Sequence, residues 1–279
     1  MQHADTKHQV DTQHQVDTEY QFDHVMTGDI LPDLDFLWNR MSDATVATVA
    51  ALPMGRVLDV GSGASKELVR LANMGWEAWA VDPSAHMLGM SQMTHNETGD
   101  ETMASIKLVR SIGEKLPFAD QSFDVVYCQA ALDHFADRNA FMAEAARIVK
   151  SDGRVVISIK NFEGLPCKLG RVLHPAAKAS RLHHCADWPC WNIPPDHTFK
   201  GDWPLVKTLG GDALVLEEAY GVALLTMLYG WGHLLHRLPP TIARRLLETA
   251  DRIAHSRPAW SDVIVTVWKP ASQPETAAS

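Results

Sequence analysis

The stretch VLDVGSGAS, residues 57–65, constrains this chain more than any other. A β-branched run enters Gly61-Ser62-Gly63 and leaves into KELVRLANMG, residues 66–75, which reads as a helix stopped by Gly75. Glycines at such a turn let a ligand approach the backbone closely, and the helix start offers free N–H groups. The next strand, WEAWAVD over 76–82, ends on an acid 21 residues after Gly61. Strands and helices then alternate. HMLGMSQM (86–93) reads as a helix, SIKLVRSI (105–112) and SFDVVYCQA (122–130) as strands, RNAFMAEAARIVK (138–150) as a helix and GRVVISIK (153–160) as a strand. The alternation implies βαβ units around a parallel sheet.

Two carboxylates narrow the ligand. Asp82, ending the second strand, stands where an acid can accept hydrogen bonds from both hydroxyls of a ribose. Asp59 stands two residues before Gly61, where an anion disfavours a pyrophosphate and favours a positive group. The third glycine of the dinucleotide fingerprint is missing from Gly61-Ser62-Gly63-Ala64-Ser65-Lys66. A ligand with a ribose, an ammonium group and no phosphate is S-adenosylmethionine, which is the expected cofactor. A plain tight turn is the bland alternative.

LPFADQSFDVVYCQAALDHF (116–135) and RIVKSDGRVVIS (147–158) resemble the signature segments of class I S-adenosylmethionine-dependent methyltransferases, of the ubiquinone/menaquinone methyltransferase type. The resemblance covers roughly residues 43–160, and more weakly 196–222 and 261–270. It implies an α/β fold: a Rossmann-like seven-stranded sheet, mostly parallel with an antiparallel last strand, helices on both faces, and helical lid insertions. It also implies roles. Asp59, Gly61, Ser62 and Gly63 resemble the positions around the methionine end, and Asp82 the ribose acid, with Pro83 and Ser84 beside adenine. Ile112, Gly113 and Glu114 border adenine, and Gln129 lines the sulfonium channel. The sequence departs from the family at Ser65, often a glycine, and at Ile112, often an acid that contacts the adenine amino group.

The remaining length reads as additions to one sheet. Residues 1–42 are an N-terminal arm and cap helix, with a six-residue repeat (DTKHQV, DTQHQV, DTEYQF) and an amphipathic helix over 29–41. Residues 43–270 are the catalytic domain, with 161–201 and 223–260 as substrate-lid insertions, and 271–279 are a disordered tail. Residues 43–52 read as a separate helix, 162–200 have no clear period, and 241–254 are a clear amphipathic helix. Strands end at one edge of such a sheet, so the insertions are expected to meet there.

His134, just after the fourth strand, and His197, before the 202–209 helix, are the candidate catalytic residues, each weighed against a packed histidine. A base is needed only where the nucleophile carries a proton that must leave. Tyr20 is placed as a cover over the cofactor, against a plain surface tyrosine. No metal is assigned. Cys185-x4-Cys190 with His183 and His184 is half a site without a second half, although Cys167 and His174 lie near in sequence, and a thiol site from Cys167, Cys185 and Cys190 is a further alternative. Trp188, Trp191, Trp203 and Trp231 read equally as an aromatic pocket or as lid core. GVALLTMLYGWGHLL (221–235) reads as a buried lid helix, with a homodimer contact or an interfacial helix as its alternatives.

Composition sets the partners. A net charge of −9 over 279 residues opposes nucleic acid, which wants clustered Lys and Arg. No window reaches 18 uncharged apolar residues, so stable membrane insertion is not expected. Four cysteines and a polar start, MQHADTKHQVD, point to the cytoplasm. The expected substrate is a small molecule, hydrophobic or aromatic. A nicotinamide-dependent oxidoreductase and a non-catalytic S-adenosylmethionine-binding protein are the competing readings.

Overall fold

A computed structural model of the chain describes residues 31–98, 105–179, 191–194, 197–226, 228 and 230–271. Seven strands form one sheet: β1 (Arg56–Val60), β2 (Glu77–Asp82), β3 (Lys107–Arg110), β4 (Phe123–Gln129), β5 (Val149–Lys160), β6 (Leu214–Val222) and β7 (Val263–Pro270). Their spatial order is β3-β2-β1-β4-β5-β7-β6. The first five pair in parallel, and β7 runs antiparallel between β5 and β6. This is the expected sheet, last strand included.

The strand residues show why both faces are covered. Val57, Val125, Tyr127, Val156 and Val265 point to one face, while Leu58, Val60, Val126, Cys128, Ile157 and Trp268 point to the other. Nearly continuous apolar runs are the mark of a sheet buried on both sides. Val57, Leu58 and Val60 are fully buried, and each such side chain stabilises the fold by roughly 1.5–3 kcal/mol. Helices α1 (Pro32–Ala50) and α2 (Lys66–Asn73) cover the first face. Helix α4 (Arg138–Ile148), started by Asp137 accepting from the Asn139 and Ala140 N–H groups, packs Phe141, Ala145 and Ile148 on the second. Helix α3 (Ala85–Thr98) links β2 to β3.

Four helical regions differ from the sequence expectation. Residues 32–50 form one helix rather than two, because neither Gly nor Pro falls between Asp33 and Ala50. Ser42 and Asp43, which read as a boundary, sit mid-helix and take hydrogen bonds of 3.0 and 2.8 Å from Arg70. Residues 165–179 form helix α5 (Leu165–Ala179) despite Pro175 in its interior. The stretch 221–235, read as one lid helix, ends β6 at Val222, turns through positive φ at Ala223 and Leu225, and among its described residues becomes helical only in α7 (Trp231–His236). Helix α6 (Trp203–Val206) is likewise shorter than read. Helix α8 (Pro240–His255) packs on β6 and on α1, where Asp251 accepts from Arg40 Nε at 2.7 Å and from the Ala223 N–H at 2.8 Å.

Among the described residues, no helix is long and apolar enough to cross a membrane. Tyr20, most of the 183–191 cluster and the tail lie outside the described residues.

Candidate functional site

Strands β1, β2, β4 and β5 end at one edge, on Val60, Asp82, Gln129 and Lys160. Crossovers diverge between β1 and β4, which opens a crevice beyond their carboxyl ends. The loop after β1 forms one wall. Gly61 and Gly63 have φ of +74° and +50°, values that favour glycine. A Cβ on Gly61 would lie 2.5 Å from the Ala131 Cβ, so the loop packs tightly on the turn after β4. Ser65 also takes a left-handed φ, +56°, and its hydroxyl pairs with Ser91 Oγ at 3.2 Å. The family glycine is thus replaced by a serine in a glycine-like conformation.

Asp82 holds this loop from the next strand. Its oxygens accept from the Gly63 N–H at 2.9 Å and the Ser84 N–H at 2.8 Å. Burial raises its pKa against the pull of these two donors. Each oxygen keeps a lone pair for another donor. Asp59 is more constrained. It is 3% exposed, and burial pushes its carboxyl well above the usual range. Glu67 and Asp82 push it further up, and an adjacent Tyr127 hydroxyl pulls the other way. Among the described residues, none of the main influences on Asp59 is a cation.

The other sequence candidates lie at or after the carboxyl ends of β1, β2, β3 and β4. Pro83 presents its carbonyl to Arg110 Nε at 2.9 Å. Ile112 is half-exposed. Gly113 lies against the Phe135 ring, which a Cβ would meet at 2.5 Å. Glu114 accepts from the Asp137 N–H at 3.2 Å, which fastens this segment to the start of α4. Ser62 Oγ and Gln129 Oε1 are buried without a hydrogen-bond partner among the described residues. Two orphaned polar atoms at one strand edge point to a missing polar ligand.

The opposite wall is built from the turn after β4. Ala130, at φ +51°, bends the chain into a 3₁₀ turn, Leu132–His134. The segment 197–201 returns to it. Thr198 donates to the Asp133 carbonyl from its N–H at 2.8 Å, and to the Phe135 carbonyl from its hydroxyl at 2.6 Å. These bonds bring together His134 and His197, 63 residues apart, with ring centroids 4.7 Å apart and edge to face. Asp133 joins them, its Oδ2 3.0 Å from His197 Nδ1. Burial alone would raise the Asp133 carboxyl, but contact with His197 and the charges of His197 and His134 outweigh it and hold it below its usual value. Sequence reading missed Asp133. The signal was present as an acid beside His134 in ALDHF, but its partner is set by the fold.

Residues 58–157 match the protein family described as a methyltransferase domain. An uncharacterized methyltransferase of Bacillus subtilis, YcgJ, is 33% identical over 102 residues, 37% of this chain and 39% of that protein. A demethylmenaquinone methyltransferase of Beutenbergia cavernae is 30% identical over 134 residues, 48% of this chain and 51% of that protein. The chain spans about half the length, or less, of these relatives. In structure it is similar to the PH0226 protein of Pyrococcus horikoshii, with a TM-score of 0.54 and 16% identity over 83% of this chain and 88% of that one. Residues 58–157 are thus similar to a methyltransferase domain, as the resemblance to the class I S-adenosylmethionine-dependent superfamily implies.

The cofactor of that superfamily is S-adenosylmethionine, and the residues present fit it. Its cationic end suits a buried Asp59 that lacks a cation, and its ribose hydroxyls suit the free lone pairs of Asp82. The orphaned Ser62 Oγ and Gln129 Oε1 offer further polar contacts.

Proposed function

We propose that this protein transfers a methyl group from S-adenosylmethionine to a small, hydrophobic or aromatic molecule in the cytoplasm. The observation that carries the reading is Asp59, a buried carboxyl driven up by burial and by Glu67 and Asp82, with no cation among its main influences from the described residues. It marks the site of a positively charged ligand at the loop where a pyrophosphate would be repelled. The bound cofactor supplies an electrophilic methyl on a sulfonium.

The chain's own residues do the rest. Asp59, Gly61, Ser62, Gly63 and Gln129 hold the charged end, and Asp82 holds the ribose. Pro83, Ile112, Gly113 and Glu114 border the adenine, where the half-exposed Ile112 gives apolar packing in place of an acid. Tyr20 completes the cover. His134 and His197 face the acceptor across the crevice, with Phe162 against His197 at 5.8 Å between centroids. Alignment of the nucleophile and exclusion of water carry most of such a displacement. Cys128, buried and free, accords with a reducing compartment.

Calorimetry with S-adenosylmethionine and its demethylated product tests the reading. Binding of both is expected. A response to NAD(P) with none to these two would replace the proposal by the oxidoreductase reading. Cofactor binding without turnover on a broad acceptor panel would leave a binding protein.

A further inference from the structure

We infer that Asp133, His134 and His197 form a site for one divalent transition-metal ion on the acceptor side of the crevice. The inference rests on the methyl-transfer reading for its use, but not for its existence.

The three side chains offer donor atoms within 4.8 Å of one another. They come from two segments fixed to each other by the Thr198 hydrogen bonds, so the cluster is held by backbone as well as by side chains. Asp133 and His197 are each only 10% exposed at the side chain. Their contact is short, 3.0 Å, yet His197 Nδ1 makes no aligned hydrogen bond. A buried ring nitrogen beside a carboxylate, but out of line with it, is poorly used as a hydrogen-bond donor and well placed as a ligand. Two atoms 3.0 Å apart, each about 2.1 Å from an ion, subtend about 90° at it, the angle between neighbouring ligands of an octahedral ion. Opposite ligands of such an ion stand about 4.2 Å apart, so the widest separation closes with a side-chain shift of about half an ångström.

Two imidazoles and one carboxylate suit Zn²⁺, Fe²⁺, Mn²⁺ or Ni²⁺ better than Mg²⁺ or Ca²⁺, which prefer oxygen. Three protein ligands leave coordination positions open. The cluster itself follows β4, in the turn whose Ala131 packs on Gly61 and whose Phe135 packs on Gly113. The acceptor this site selects is therefore one with an oxygen, nitrogen or sulfur lone pair that can coordinate.

The test uses the untagged full chain, stripped with a chelator and re-equilibrated with Zn²⁺ or Mn²⁺ alone. About one ion per chain is expected by elemental analysis, with a rise in melting temperature. His197→Gln and Asp133→Asn should each weaken metal binding at least tenfold while leaving S-adenosylmethionine affinity within about threefold. Retention of the ion by both variants, or no ion on the parent protein, overturns the inference. X-ray absorption on the parent zinc form needs no variant. A first shell of nitrogen and oxygen at about 2.0–2.1 Å supports the site, and a sulfur shell assigns the ion to the cysteines instead. Loss of S-adenosylmethionine binding would sink the methyl-transfer reading and leave the metal result standing.

Discussion

Asp59 and Asp133 belong to neighbouring strands, β1 and the turn after β4, and both are buried. Their surroundings act in opposite directions. Asp59 has Glu67 and Asp82 near it, and its carboxyl is driven up. Asp133 has His197 and His134, and its carboxyl is held down. Burial is the largest influence on each, so the difference comes from the neighbours. One wall sets acids around its buried carboxyl and the other sets imidazoles around it. The first is a socket for a cationic ligand. The second is a polar cluster that can hold an acceptor or an ion.

The sharpest way to break this comparison is to neutralise the socket. Asp59→Asn is expected to weaken S-adenosylmethionine binding on the order of 100-fold, the effect of removing one partner of a buried charge pair, roughly 3 kcal/mol. The same variant should melt higher than the parent without ligand, because it no longer buries an unpaired charge. Calorimetry and a melting curve read the two effects. A variant that melts lower and binds the cofactor as before would show that Asp59 is structural.

Gly61→Ala joins the two walls in one test. The new methyl meets Ala131 at 2.5 Å on a backbone with φ +74°. Left-handed strain and overpacking together cost roughly 2–5 kcal/mol. Denaturant unfolding should show this loss, and the surviving folded protein should bind the cofactor more weakly.

Asp262 shows whether burial without an adequate partner reads the same way elsewhere. It accepts from the Thr226 N–H and hydroxyl at 3.0 and 2.7 Å, and burial still raises its pKa from 3.8 to about 6. A raised folded value means that the folded state holds the proton longer. The penalty is absent below the unfolded value, grows as pH rises and is complete above about 6. Asp262→Asn should thus be more stable than the parent at pH 7 by at most about 3 kcal/mol, with the gap closing toward pH 4. Unfolding at both pH values measures it, and a gap that does not depend on pH would refute the assignment.

The cofactor wall was more legible in the sequence than the acceptor wall, and the reason is distance along the chain. Asp59, Gly61, Gly63 and Asp82 lie within one βαβ unit, where local spacing fixes their placement. β2 agrees to within one residue with its expected range, 76–82, because its pattern is local too. Asp133 meets His197 across 64 residues, through bonds from Thr198 that no periodicity announces. The 221–235 stretch misled for another reason. Apolar composition specifies burial, as for Ala223, Leu224 and Leu235, but not helix. There the chain turns through positive φ at Ala223 and Leu225 while Asp251 holds the Ala223 N–H. Pro175 hid α5 in the same way, because a proline that breaks most helices is tolerated inside this one.

The smallest expected effect is at Ser65, and it sharpens the cofactor side alone. The serine adopts φ +56°, which costs an L-residue roughly 1–2 kcal/mol relative to glycine. Its hydroxyl returns part of this through the 3.2 Å contact with Ser91, since a hydrogen bond contributes about 1 kcal/mol net. Glycine would also gain freedom in the unfolded chain, which favours unfolding by about 0.4–1 kcal/mol. The contributions nearly cancel, so Ser65→Gly should change stability by less than about 1 kcal/mol and leave cofactor affinity within about threefold. Unfolding and calorimetry check both. A large loss of affinity would mean that the Ser65–Ser91 pair, which also ties to the Gly63 carbonyl at 3.2 Å, sets the loop geometry on which Asp59 and Asp82 depend.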